Sequence, residues 1–230
     1  MESYDSYVDR YKKVGVDISK EPFEIAPGAH TSLGGIVINT DCETNIEGLF
    51  AAGEIIGGLH GANRVGGNAG LETLVFGKRA ADGMLSYLLG IGENNKNRSD
   101  FSAETMQELF AEKSTEIDSE EITKIREKME HLLQNHLFVI RNGADLKETV
   151  TSLEKMKDYV KSHSCQKNPF EKIRLENDLI CASLLANAAI IRTESVGCHV
   201  RKDSDGGDHH YHVVLKKDIN NEMKIWKENV

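Results

Sequence analysis

One stretch of this chain combines reactive side chains with a backbone stripped for close approach. Residues 51–70 read Ala-Ala-Gly-Glu-Ile-Ile-Gly-Gly-Leu-His-Gly-Ala-Asn-Arg-Val-Gly-Gly-Asn-Ala-Gly. With Gly57, Gly58, Gly61, Gly66, Gly67 and Gly70, it has too few side chains to build a core of its own. It is either a flexible surface loop or a backbone cradle for a ligand. A loop that feeds into a helix N-terminus at Asn68 presents free N–H groups and the positive end of the helix dipole, which suits an anionic or electron-rich edge. Arg64 is the only Lys or Arg between Lys20 and Lys78. Its guanidinium fork fits a carboxylate or phosphate, and an ion pair with Glu54 or Glu72 is the structural alternative. His30, in Ala-His-Thr-Ser-Leu-Gly-Gly, precedes a second glycine pair. Together His30 and Arg64 would clamp a small polyanion.

These residues need elements to hold them. Glycine is concentrated in the first part of the chain, with 16 of 20 in residues 1–92. Residues 4–14 suggest a short helix. Residues 36–39 and 49–52 are short apolar runs bounded by turns and suggest buried strands. From Asn68 the spacing turns helical, with Leu71, Leu74, Val75, Ala81, Leu85, Leu88 and Leu89 on one side and Lys78, Arg79 and Asp82 on another. Asn68 is the expected N-cap and Gly90 the expected stop. A polar run opening at Gly92 reads as a connection, here bounded as residues 93–116.

Three helical stripes follow. The first runs through Ile122, Ile125, Met129, Leu132, Leu133, His136 and Ile140 to Asn142-Gly143, with the acidic run 118–121 in its first turn. The second runs through Leu146, Val150, Leu153, Met156 and Val160. Residues 175–191 are apolar nearly all round, so this helix should be the central and most buried one. Residues 210–215 alternate weakly and suggest a strand without a nameable partner. Trp226 packs on the helices or on a partner. Cys181 and Cys198 read as buried small apolar residues.

Composition excludes several classes. Twenty-eight Lys and Arg against 37 Asp and Glu give a net charge of −9. No basic block is present, so a nucleic-acid partner is not expected. No apolar stretch is long enough for a bilayer span. The start shows no secretory signal pattern, and Cys42, Cys165, Cys181 and Cys198 lack disulfide or metal spacing, so a reducing, cytoplasmic setting is expected.

Four ordered motifs carry a resemblance: His30-Thr-Ser-Leu-Gly-Gly35, Gly48-Leu-Phe-Ala-Ala-Gly-Glu54, His60-Gly-Ala-Asn-Arg64 and Gly67-Asn-Ala-Gly-Leu-Glu-Thr-Leu-Val-Phe-Gly77. They resemble the C-terminal half of the succinate dehydrogenase and fumarate reductase flavoprotein family, which includes L-aspartate oxidase. Arg192-Thr-Glu-Ser-Val-Gly-Cys-His-Val-Arg201 is similar to the segment after that family's three-helix domain, so the likeness weakens only beyond about residue 203. It implies an α+β fold, in which the C-terminal part of an FAD-binding α/β domain (residues 1–92) precedes a three-helix domain (117–203) and a short tail (204–230).

The resemblance also implies roles. His30 and Arg64 match residues that hold the carboxylates of fumarate or succinate. Glu54 matches a contact to FAD, and Ala69 and Gly70 match backbone contacts to it. A complete member begins with a strand and a G-x-G-x-x-G fingerprint, and no such pattern in that context stands here. The ADP-binding unit and the substrate-capping domain are therefore expected elsewhere, together with the proton donor. Val196 stands where the family's Glu-Ser-Arg-Gly segment has arginine.

Three readings follow. The first is the C-terminal portion of an FAD-dependent oxidoreductase acting on a C4 dicarboxylate, inactive alone, and either a truncated gene product or one half of a split flavoprotein whose other half is a separate chain. The glycine pairs favour the fumarate or succinate type, with an L-aspartate oxidase fragment as runner-up. The second is a non-catalytic remnant kept as a partner-binding module. The third is metal binding by Asp203, Asp205, Asp208, His209, His210 and His212, for which an exposed, solvated turn is the ordinary explanation. No metal is expected. A chain cut from such a fold should expose an apolar face normally covered by a partner.

Overall fold

The computed structural model describes residues 4–91, 115–165, 167–207, 210–218, 220 and 222–229. The expected connection over 93–116 therefore lies almost wholly outside the described residues. Two units are distinguished, Met1–His30 and Thr31–Val230. The first holds α1 (Tyr4–Lys12), close to the expected helix, whose Tyr11 packs at a tilt on Phe23 with ring centroids 5.1 Å apart.

In the second unit the spacing's long helix α2 runs over Asn68–Ile91, so that Asn68 and Gly90, expected as its cap and its stop, both lie inside it. Glu72 and Ala80 are buried and Ala69, Phe76, Gly83 and Tyr87 half-buried, a 3-4 spacing that marks the inner face. The leucine face points outward: Leu71, Leu74, Leu85, Leu88 and Leu89 are all exposed. Small residues win the contact because they let the backbone of residues 39–43 come close, so that the Cys42 thiol reaches the Phe76 carbonyl at 3.7 Å.

Neither expected strand forms. Residues 36–39 contribute one parallel bridge, Ile36 to Ile56, and residues 49–52 one antiparallel bridge, Phe50 to Glu43. These runs are too short, and too interrupted by turns, to extend a ladder.

Helices α3 (Ser119–His136), α4 (Gly143–Ser162) and α5 (Pro169–Ile191) follow. Asp118 caps α3 by accepting the Glu121 amide, so the acidic run begins the helix as expected. Asn142 caps the start of α4, accepting from the Asp145 amide at 2.9 Å, rather than ending the helix before it. Ile140 accordingly leaves the first stripe and enters a short strand. Ile122, Met129, Leu153, Met156, Val160, Leu175, Leu179, Ala182 and Ala186 form one core among the three helices. Helix α5 buries one face of these residues but leaves Phe170, Ile180 and Leu185 exposed, so it is not enclosed all round. Cys181 lies on that outer face and is exposed, contrary to expectation.

β1 (Ile140–Arg141) pairs in parallel with β2 (Val200–Arg201). What the sequence reads as a tail is an antiparallel hairpin: β3 (Tyr211–Lys217) finds its partner in β4 (Met223–Asn229), with Trp226 opposite Val214. The hairpin is tied to the end of α5, because the Tyr211 hydroxyl donates to Glu194 at 2.8 Å and the Arg192 guanidinium lies 4.2 Å from the Tyr211 ring centre. Among the described residues, no helix is long and apolar enough to cross a membrane.

Candidate functional site

Two glycines make the first half of the site. The Ile36 amide donates to the Ile55 carbonyl at 2.8 Å, and the Gly57 amide returns to the Ile36 carbonyl at 3.0 Å. A Cβ on Gly35 would lie 2.1 Å from the Ile55 oxygen, so the two segments meet backbone to backbone and only glycine fits. This contact holds Glu54 beside residue 32, whose amide donates to Glu54 Oε1 at 3.0 Å. Glu54 itself is exposed.

The second half is the loop of residues 57–67 on α2. Arg64 sits in it half-buried, and its Nε is buried without a hydrogen-bond partner. Neither ion pair considered for it forms among the described residues. Glu72 turns instead to His60, with His60 Nε2 2.6 Å from Glu72 Oε2, while Glu72 Oε1 is buried and unpartnered. At the start of α2 the first-turn amides have no intrahelical acceptor, and no acidic residue stands in that turn. Ala69 and Gly70 belong to this turn, and a Cβ on Gly70 would meet open space. The site thus presents a guanidinium and a set of amides, donors suited to carboxylate or electron-rich groups.

A tight turn from the C-terminal part of the chain grips the same loop. Residues 196–199 form a two-residue β-turn in which the Val196 and His199 amides donate to each other's carbonyls at 2.9 Å. Gly197, with φ of +55°, takes the first central position, where a type II′ turn needs positive φ. The Cys198 amide donates to the Ala62 carbonyl at 2.9 Å and its thiol to Asn63 Oδ1 at 3.3 Å. Cys198 is exposed, because it stands at the tip of this turn rather than in a core.

Behind the turn lies a cationic cluster. His199 Nε2 is 3.0 Å from the Arg192 carbonyl and its Nδ1 2.8 Å from Arg141 Nη1. Burial pushes the His199 imidazole below its ordinary value; the bond to the Arg192 carbonyl opposes this, and Arg141, Arg201 and Arg192 add to the lowering. Arg141, itself lowered by burial, keeps the bond by donating to a neutral ring.

Of the residues singled out from sequence, Glu54, Arg64, Ala69 and Gly70 lie in the second unit. His30 is exposed and closes the first. His60 and the turn of residues 196–199 stand in segments that carry the resemblance, but sequence reasoning gave neither a part in the site. The signal for His60 was its place in the same glycine loop as Arg64, shortly before a helix start whose first polar acid is Glu72. In the candidate metal cluster, Asp208 and His209 lie outside the described residues. Asp203 is held by Arg201 and the Gly143 amide, and Asp205 by Thr193. Among the described residues no group of three or more potential ligands gathers.

The family described as FAD binding domain matches residues 2–69, and the one described as fumarate reductase flavoprotein C-term matches residues 126–230. The chain belongs to the succinate dehydrogenase and fumarate reductase flavoprotein family. It is 35% identical over 198 residues to the fumarate reductase flavoprotein subunit of a Serratia species, covering 83% of this chain and 33% of that one. It is 30% identical over 200 residues to the L-aspartate oxidase of Acinetobacter baylyi, covering 84% and 35%. A variant of the Escherichia coli quinol fumarate reductase flavoprotein superposes with a TM-score of 0.80 at 29% identity, over 98% of this chain and 40% of that one. The chain thus spans 33% to 40% of the length of these three proteins.

The residues present fit the cofactor of that family. The open first-turn amides at Ala69 and Gly70 suit an electron-rich ring edge, and the unpartnered Glu72 Oε1 and Arg64 Nε leave one acceptor and one donor for bound groups beside them.

Proposed function

We propose that this chain is the C-terminal portion of an FAD-dependent oxidoreductase that interconverts fumarate and succinate by hydride transfer. The observation that carries this is Arg64, a guanidinium whose Nε is buried and unpartnered in a glycine loop at a helix start. Flavin, when bound, supplies the two-electron hydride chemistry. The chain's own residues position and polarise. Arg64 takes one substrate carboxylate in its fork, and the family resemblance gives the other to His30. Ala69 and Gly70 would offer backbone N–H groups to the cofactor ring edge, and Glu54 would add a further contact to the cofactor. The proton donor belongs to the part of the protein outside this chain.

The same reading assigns residues 1–92 to the end of an FAD-binding domain, 117–203 to a three-helix domain and 204–230 to its tail. The N-terminal half of the fold, with its ADP-binding unit, completes the site, and without it these residues have no turnover. The test is to purify the chain from its source with whatever polypeptide accompanies it, and to record flavin absorbance and fumarate reduction. Yellow protein with a partner carrying G-x-G-x-x-G, reducing fumarate with a loss in Arg64→Ala, supports the proposal. L-Aspartate oxidation without fumarate reduction replaces the substrate, and colourless, solitary protein overturns the enzymatic reading.

A further inference from the structure

We propose that the turn of residues 196–199 is a positioning device for Arg64, so that Gly197 and Cys198 set the affinity for the dicarboxylate without touching it. This rests on the assignment of Arg64 to substrate binding and extends it to a part of the chain more than 130 residues away in sequence. The loop that carries Arg64 is nearly devoid of side chains, so it cannot fix its own course. It is held from one side by the His60 bond to Glu72 on α2. On the other side, the Cys198 amide and thiol take hold of Ala62 and Asn63, the two residues directly before Arg64.

The fit of the turn against the loop has no slack. A Cβ on Gly197 would lie 2.2 Å from the Ala62 carbonyl oxygen and 2.8 Å from the Ala62 Cβ. Backbone stands on both sides, so an added methyl must push the two segments apart. Gly197 also needs its positive φ to bring the Cys198 amide onto Ala62. The turn is anchored from behind by His199, bonded to Arg141 and to the Arg192 carbonyl at the end of α5. The helical part of the chain thereby becomes a support of the anion site. A displacement of about 1 Å in a substrate-holding group is enough to lower its effectiveness by an order of magnitude or more.

The test uses the protein as purified with its accompanying chain, and reads the labelling of Arg64 by phenylglyoxal, resolved by peptide mass spectrometry, with and without succinate. In the unaltered protein, labelling is slow and succinate slows it further. Gly197→Ala is expected to speed basal labelling and to raise the half-protecting succinate concentration roughly tenfold. Cys198→Ser, which keeps the backbone and a hydroxyl donor, stays close to the unaltered protein. An unchanged half-protecting concentration in Gly197→Ala overturns the inference. Failure of succinate to protect Arg64 in the unaltered protein overturns the substrate assignment first and this inference with it. Should Gly197→Ala lose its helical circular dichroism, the unaltered protein still decides. Succinate slows alkylation of Cys198 by iodoacetamide if the two segments are coupled, and protection of Arg64 with no change at Cys198 overturns the coupling.

Discussion

His60 Nε2 lies 2.6 Å from Glu72 Oε2, a close polar link between the glycine loop and the inner face of α2. Glu72 is 6% exposed, so its carboxylate depends on this partner. His60→Ala would leave it buried with neither oxygen satisfied. That substitution is expected to destabilise the chain by about 3 kcal/mol, the usual cost of removing one member of a buried pair. Glu72→Gln keeps a hydrogen bond to the ring and should cost about 1 kcal/mol. Urea unfolding measures both, and equal losses would show that the pair does not act as a unit.

His199 makes stability depend on pH. Its folded value lies below the ordinary histidine value, chiefly through burial, with Arg141, Arg201 and Arg192 adding to the effect. An unfolded histidine takes up its proton near pH 6.5. Below that point the unfolded chain binds a proton that the folded chain refuses. The contribution is therefore complete above the unfolded value and is lost as pH falls through the folded one. The urea midpoint should drop between about pH 7.5 and about pH 5, and the drop should be smaller in His199→Gln. Parallel pH profiles for the two proteins would remove His199 as the source.

Long-period patterns were legible in the sequence, and contacts at a distance were not. The stripe through Leu146, Leu153, Met156 and Val160 places α4 within two or three residues, because an amphipathic helix needs only its own spacing. Helix α2 shows where that rule ends. Its spacing gathers the leucines on one side without saying which side turns inward, and Ala80 and Gly83 take the contact, since close backbone approach rewards small residues over apolar area. The hairpin was half-legible: residues 210–215 alternate, but β4 begins Met-Lys-Ile-Trp-Lys and mixes charged with apolar positions, as a strand with one exposed face does. Arg64, which we propose holds an anion, stood out in the sequence because an isolated guanidinium among glycines has few structural uses. Its support by Gly197 and Cys198 did not, because nothing in a Val-Gly-Cys-His turn states what it rests on.

Arg201 closes the end of α5. Its side chain is buried, and Nη1 donates to the Ala189 and Arg192 carbonyls at 2.9 and 2.8 Å, groups that a helix C-terminus leaves unsatisfied. Nε and Nη2 meet both oxygens of Asp203, which also accepts the Gly143 amide at the start of α4. The paired guanidinium holds the Asp203 carboxyl far below the usual range. A planar fork is needed to reach carbonyls and carboxylate together, so Arg201→Lys should cost about 2 kcal/mol and Arg201→Leu about 4 kcal/mol. Near-equal stability of Arg201→Lys and the unaltered chain in urea unfolding would show that charge alone suffices.

Two glycines of α2 should respond to the same substitution with opposite signs. In a helix interior, alanine is favoured over glycine by about 1 kcal/mol. At Gly77 a Cβ would enter open space, so Gly77→Ala is expected to raise stability by about 0.5 to 1 kcal/mol. At Gly83 the Cβ would lie 2.3 Å from the Asp41 carbonyl oxygen and 3.1 Å from Cε1 of Phe50. A backbone oxygen cannot rotate away as a side chain can, so α2 must lift from the segment that carries Cys42. The overlap outweighs the propensity gain, and Gly83→Ala should lower stability by about 2 kcal/mol. Thermal unfolding of the two variants side by side measures the contrast. A Gly83→Ala protein as stable as Gly77→Ala would mean that α2 does not rest on residues 39–43, and that its leucine face, not its small-residue face, makes the contact.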